Sequence, residues 1–103
     1  MDKNTLLILR MVHTVNCQRF KKKHGRDAEI ADLLKKHLEE IGEFIKAIDG
    51  KSSEDPLDEY WDCIFSMMAT ALNPTGHFTN EQILRAYDRC LLKIANRTNV
   101  EAA

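Results

Sequence analysis

The sequence predicts an all-α fold: a four-helix bundle-like protomer built as one domain over residues 1–103. Three observations carry this. Apolar residues recur at the 3.6-residue spacing of helices, whereas strand-like alternation is weak. Four glycines and two prolines leave little punctuation, so the elements must be few and long. A chain of 103 residues has room for one compact domain and no second.

The first helix is expected over about residues 4–24, with Asn4 as N-cap and Gly25 as the C-terminal stop. The second, over about 28–49, starts after Asp27 as cap and ends before Gly50. The third, over about 56–73, has the clearest start: Asp55 caps it and Pro56 takes the first helical position. It is expected to stop near Asn73-Pro74. The fourth, over about 80–97, opens with the capping box Thr79-x-x-Gln82. Residues 50–55 and 74–78 are read as loops.

Composition narrows the function classes. No apolar run approaches the roughly 18–20 residues that span a bilayer. The start Met1-Asp2-Lys3-Asn4 lacks a signal-peptide pattern, so a cytoplasmic protein with reduced Cys17, Cys63 and Cys90 is expected. The net charge of −1 conceals a strong polarity. Six basic residues and no acid lie between Arg10 and Arg26; twelve acids and four lysines lie between Asp27 and Asp62. The basic run Arg19–His24 has a single aromatic, Phe20, and reads as a solvated helix end, so no nucleic-acid partner is expected.

At about 100° per residue, each side chain can be placed around its helix. On the second helix Ile30, Leu34, Leu38, Ile41, Ile45 and Ile48 form one apolar stripe. Glu40 falls on the flank of that stripe, between Leu33 and Phe44. Glu43 lies about 60° further round, and Glu39 nearer open solvent. The third helix is apolar over most of its circumference, from Leu57, Tyr60 and Trp61 to Phe65, Met67 and Leu72. Its narrow polar strip holds Glu59, Asp62, Ser66 and Thr70. Cys63 is expected on the apolar side, as packing. A helix this apolar needs cover on nearly all sides, which predicts a homodimer or a dimer of dimers.

Glu40-x-x-Glu43 and Glu59-x-x-Asp62 each put two carboxylates on one helix face. An antiparallel hairpin can bring all four together. Like charges about 5 Å apart at an effective dielectric near 20 repel by roughly 3 kcal/mol per pair. Such a cluster persists only around a cation. Hard oxygen donors without His or Cys suit Mg²⁺, with Mn²⁺ as a substitute. Iron is disfavoured, because His37-x-x-Glu40 reverses the usual Glu-x-x-His order. On the fourth helix Lys93 and Arg97 approach the apolar side, where basic groups near a divalent cation suit a polyphosphate. Asn16 is a candidate for reading a base or sugar, since an amide offers donor and acceptor. His13 and Cys17 sit one turn apart, too few ligands for zinc.

These residues resemble a known family. Glu39-Glu40-Ile41-Gly42-Glu43 followed by Glu59-Tyr60-Trp61-Asp62 resembles the EExxE…ExxD signature of MazG-like, all-α nucleoside triphosphate pyrophosphohydrolases. The similarity runs from about Leu34 to Leu72 and more weakly to Lys93-Ile94-Ala95-Asn96-Arg97. It implies Mg²⁺-dependent cleavage between the α- and β-phosphates, giving a nucleoside monophosphate and pyrophosphate. By position, Glu40, Glu43, Glu59 and Asp62 would ligate Mg²⁺, Glu39 would be the catalytic base, and Lys93 and Arg97 would hold phosphates. Family members are typically oligomers in which partner chains can complete each site.

The related phosphoribosyl-ATP pyrophosphatases are one alternative, although Asp62 is followed here by Cys63-Ile64-Phe65-Ser66 without their histidine. A non-catalytic helical interaction module is the alternative from another class.

Overall fold

The computed structural model describes residues 1–72 and 78–102, with side chains described as far as Arg97. Among these the chain is all-helical: α1 (Lys3–His24), α2 (Ile30–Ile48), α3 (Pro56–Leu72) and α4 (Asn80–Ala102). The expected stop at Asn73-Pro74 and most of the 74–78 loop lie outside the described residues.

Local chemistry explains most helix ends. The Asp55 carboxylate accepts the Leu57 N–H at 2.8 Å, and Pro56 begins α3 without an N–H to satisfy. Thr79 and Gln82 cap α4 reciprocally: the Thr79 N–H donates to Gln82 Oε1 at 2.8 Å, and the Gln82 N–H to Thr79 Oγ1 at 3.1 Å. Gly25 ends α1 with φ 69°, a left-handed conformation that glycine adopts without strain, and its N–H donates to the Lys21 carbonyl at 2.8 Å.

Two caps differ from expectation. Asp2, not Asn4, caps α1, accepting the Asn4 N–H at 2.8 Å. Glu29, not Asp27, caps α2, and its N–H donates to Asp32 Oδ2 at 2.9 Å. The later start lets Arg26 grip Asp32 with two bonds of 2.8 and 3.0 Å, while Asp27 pairs with Lys21 at 3.5 Å. The Arg26 guanidinium holds the Asp32 carboxyl well below the usual carboxylate range. At its far end α4 continues five residues past Arg97, since no glycine or proline interrupts it.

α2 and α3 form an antiparallel hairpin, and this is the principal packing of the chain. α1 packs on α3 and on α4, and α4 lies along α1 rather than along the hairpin. The chain extends over 55 × 39 × 24 Å with a radius of gyration of 16.3 Å, against about 13 Å for a compact domain of this length. It exposes 7962 Å², where a compact monomer of 11.9 kDa exposes about 5,900 Å².

The side of α2 that faces α3 is therefore the flank, not the apolar stripe. Ala47 and Glu40 are buried there, and the Phe44 and Tyr60 rings meet at 6.0 Å between centroids. The stripe residues Ile30, Leu34, Leu38, Ile45 and Ile48 are all exposed. On α3, Leu57, Trp61, Phe65 and Met67 are exposed too, so within one protomer that helix is covered on one side only. Trp61 stacks on Phe65 at 5.8 Å on this outer surface.

Arg10 joins the remaining pieces. From α1 it donates to Asn80 Oδ1 at 2.7 Å, to the Leu72 carbonyl at 3.5 Å and to the Phe78 carbonyl at 3.2 Å. One guanidinium thus ties the last turn of α3 to the first turn of α4. Removing a charged donor from such contacts costs about 2 kcal/mol. Arg10→Ala is expected to lower the urea midpoint accordingly, and Arg10→Lys to lose an intermediate amount because one ammonium cannot span three acceptors. An unchanged midpoint for Arg10→Ala would show that the clamp carries no stability.

Candidate metal centre

The flank of α2 and the polar strip of α3 meet along the hairpin seam. There Glu40, Glu43 and Glu59 each present a carboxylate oxygen, and these oxygens all lie within 4.8 Å of one another. Glu40 and Glu59 are only 8 % and 7 % exposed, and Glu43 stands at the open rim. One ammonium answers the three carboxylates: Lys36 Nζ lies 2.8 Å from Glu40 Oε1, one turn back on α2. The Glu40 carboxylate beside it raises the Lys36 ammonium above its ordinary range.

Two oxygens, Glu40 Oε2 and Glu59 Oε2, are buried with no hydrogen-bond partner in the protein. Nearly all buried polar atoms in folded proteins are paired, so two such orphans in one cluster mark a place built for something else. Burial pushes the Glu59 carboxyl above the usual glutamate range, and the charges of Glu43, Asp62, Glu40 and Glu54 push it the same way.

The donor set fits a hard divalent cation. All three donors are carboxylate oxygens, as Mg²⁺ and Mn²⁺ prefer. Opposite oxygens of an octahedral Mg²⁺ stand about 4.2 Å apart. Neighbouring oxygens on such an ion stand about 3.0 Å apart, so these three oxygens, within 4.8 Å of one another, would draw together on binding.

The other candidate residues are distributed unevenly. Asp62 lies outside the group of three, yet its charge acts on Glu59 across one turn of α3. Glu39 is exposed and outside the group. Lys93 and Arg97 are exposed on α4, which packs along α1 and not along the seam. Asn16 is exposed on α1, and no described contact brings it to the carboxylates.

Cys63 requires correction. It is half-buried beside the cluster, where burial and the charges of Glu40, Glu59, Asp62 and Glu43 push its thiol up. Its spacing of i+4 from Glu59 carries it to the polar strip. A thiol held protonated in this way is a poor nucleophile and a poor ligand. Lys36 also escaped the sequence reading, although its position one turn before Glu40 is the signal for a pair.

His37 Nδ1 lies 2.7 Å from Ser66 Oγ across the seam, at one end of the same polar strip. On α1, Cys17 Sγ lies 3.3 Å from His13 Nε2. Burial lowers that imidazole and raises that thiol, so the pair rests neutral and no third ligand joins it among the described residues.

No protein-family model, curated protein or solved structure matches the chain.

The shift on Glu59 has a definite sign. A carboxyl raised in the folded state binds more protons there than in the unfolded chain, so it removes stability as pH rises above the ordinary glutamate pKa of about 4.3. In metal-free buffer Glu59→Gln is expected to melt above wild type at pH 7.5. That gain should vanish at pH 4, where the wild-type carboxyl is protonated in the fold. A thermal scan at both pH values checks it, and a lower melting temperature at pH 7.5 would contradict the burial argument.

Proposed function

We propose that this chain is a Mg²⁺-dependent, MazG-like nucleoside triphosphate pyrophosphohydrolase. The observation that carries the reading is the convergence of Glu40, Glu43 and Glu59 around two buried, unpartnered carboxylate oxygens. Glu40, Glu43, Glu59 and Asp62 would hold the metal. When bound, Mg²⁺ neutralises phosphate oxygens and lowers the pKa of water, with Mn²⁺ as a substitute. Glu39, exposed one residue before Glu40, would accept the proton of the attacking water. Water oxygen bonds to the α-phosphorus, the α–β bridging bond breaks, and pyrophosphate leaves as the nucleoside monophosphate forms. No side chain at the seam is suited to covalent catalysis, since the Cys63 thiol stays protonated.

Lys93 and Arg97 supply positive charge for the phosphates, and Asn16 an amide for base or sugar. A second copy of the chain is part of this proposal. The protomer exposes about 2,000 Å² more than a compact monomer of its mass, and a dimer hiding that excess falls within the obligate class. The exposed stripe of α2 and the outer face of α3 supply the apolar surface it requires. Pairing is also how a Lys93–Arg97 pair reaches the carboxylates. No helix of the described residues is long and apolar enough to cross a membrane, and three unpaired thiols suit a reducing cytoplasm.

Incubation with a panel of nucleoside and deoxynucleoside triphosphates, and with phosphoribosyl-ATP, tests the activity. Pyrophosphate plus monophosphate with Mg²⁺, abolished by EDTA, is the expected result. Turnover of phosphoribosyl-ATP alone would assign the narrower activity, and no turnover anywhere would favour an interaction module. Glu40→Gln is expected to lose at least about 100-fold in rate while staying folded, beyond the effect typical of outer-shell changes. Unchanged turnover would remove Glu40 from the site.

Light scattering at micromolar concentration checks the assembly. A mass of two or four protomers is expected, and a monomer with the apolar stripe still exposed would contradict it. Ile45→Glu, in the middle of that stripe, should shift the protein toward monomer.

A further inference from the structure

We infer that His37 and Ser66 form a positioning lock that sets the register of the α2–α3 hairpin and thereby the spacing of the carboxylates; the inference rests on the metal-binding reading above. The His37 Nδ1 to Ser66 Oγ contact, at 2.7 Å, is the one side-chain hydrogen bond joining α2 to α3 among the described residues. Its direction follows from a proton count. Ser66 has a single hydroxyl hydrogen, and it is donated to the Cys63 carbonyl at 2.9 Å. His37 therefore donates from Nδ1–H, and Ser66 Oγ accepts.

The lock sits where register matters. His37 is one turn before Glu40, and Ser66 one turn after Asp62. A second rung, Phe44 against Tyr60 at 6.0 Å, lies at the other end of the cluster. Seven residue steps of α2 thus run against six of α3, with Glu40, Glu43 and Asp62 between the rungs and Glu59 beside Tyr60. The two rungs differ in kind. An aromatic contact is adjustable, since ring pairs remain favourable over centroid separations of about 4.5–7 Å. A hydrogen bond of 2.7 Å does not survive a shift of an ångström or more. Repulsion among the carboxylates favours any slip that separates them, and a slip of one turn, about 5.4 Å, would dismantle the group. The neighbouring Glu40–Lys36 bridge cannot oppose it, because both partners lie on α2.

Mn²⁺ titration calorimetry on the full chain, with thermal melting in metal-free buffer, tests this. His37→Leu and Ser66→Ala are each expected to weaken Mn²⁺ by about 10-fold or more, the range of outer-shell ligand supports. The double variant should lose no more than the worse single one, since both changes break one bond. His37→Asn, whose amide N–H can replace Nδ1–H, should recover affinity. Comparable melting temperatures across the series separate register from general instability, and His37→Asn with Ser66→Ala decide the matter should His37→Leu not fold. Wild-type affinity in the folded single variants, additive losses, or no recovery with asparagine would overturn the lock while leaving the metal site standing. A wild-type protein that binds no Mn²⁺ would overturn the metal site and the lock with it.

Discussion

Electrostatic repulsion inside the α2–α3 seam is the constraint on which the rest of this protein depends. Three carboxylate oxygens within 4.8 Å, two of their residues nearly excluded from water, oppose the packing that holds the hairpin together. The hairpin tolerates them because the burial is one-sided. Glu43 remains at the rim, where solvent screens it, while Glu40 and Glu59 carry the desolvation. The raised affinity of Glu59 for a proton shows how incomplete the internal compensation is.

The same arrangement accounts for the open shape of the protomer. Spending the flank of α2 on the seam turns its widest apolar stripe outward, and α3, pinned by its polar strip, leaves Trp61 and Phe65 outside. A compact bundle would bury these surfaces and also cover the rim of the acidic cluster. Here the cluster stays accessible along the seam while the apolar surface waits for cover elsewhere. The open rim of the cluster and the uncovered apolar surface thus follow from one choice of packing face.

Much of this was legible in the sequence, for identifiable reasons. The caps at Asp55 and Thr79–Gln82 are local chemistry, closed within three residues, and their hydrogen bonds form as the spacing demands. The flanking position of Glu40 followed from helical geometry alone. What escaped depended on distant partners. The start of α2 at Glu29 is an exception, because its box with Asp32 closes within three residues while Arg26 grips the same carboxylate. The destination of the Ile30–Ile48 stripe was unreadable, because periodicity says that a face needs cover and not what covers it. Cys63 lies beside Glu59 rather than on the apolar side, where the spacing of one turn along α3 carries it.

Lys36 completes the electrostatic account. Its bridge to Glu40 runs between positions i and i+4 with the lysine on the N-terminal side, the less favourable order, and its side chain is 62 % exposed. Pairs of this kind contribute about 0.3–0.5 kcal/mol. On a Coulomb footing one ammonium offsets one carboxylate and leaves the remaining pair repelling by roughly 3 kcal/mol. The lysine therefore reduces the charge of the cluster without satisfying it, and its flexible stem can leave toward solvent at little cost. A divalent ion brings twice the charge with no chain entropy to lose. The single tethered ammonium lowers the repulsion within the cluster and leaves it short of cationic charge, with Glu40 Oε2 and Glu59 Oε2 unpartnered.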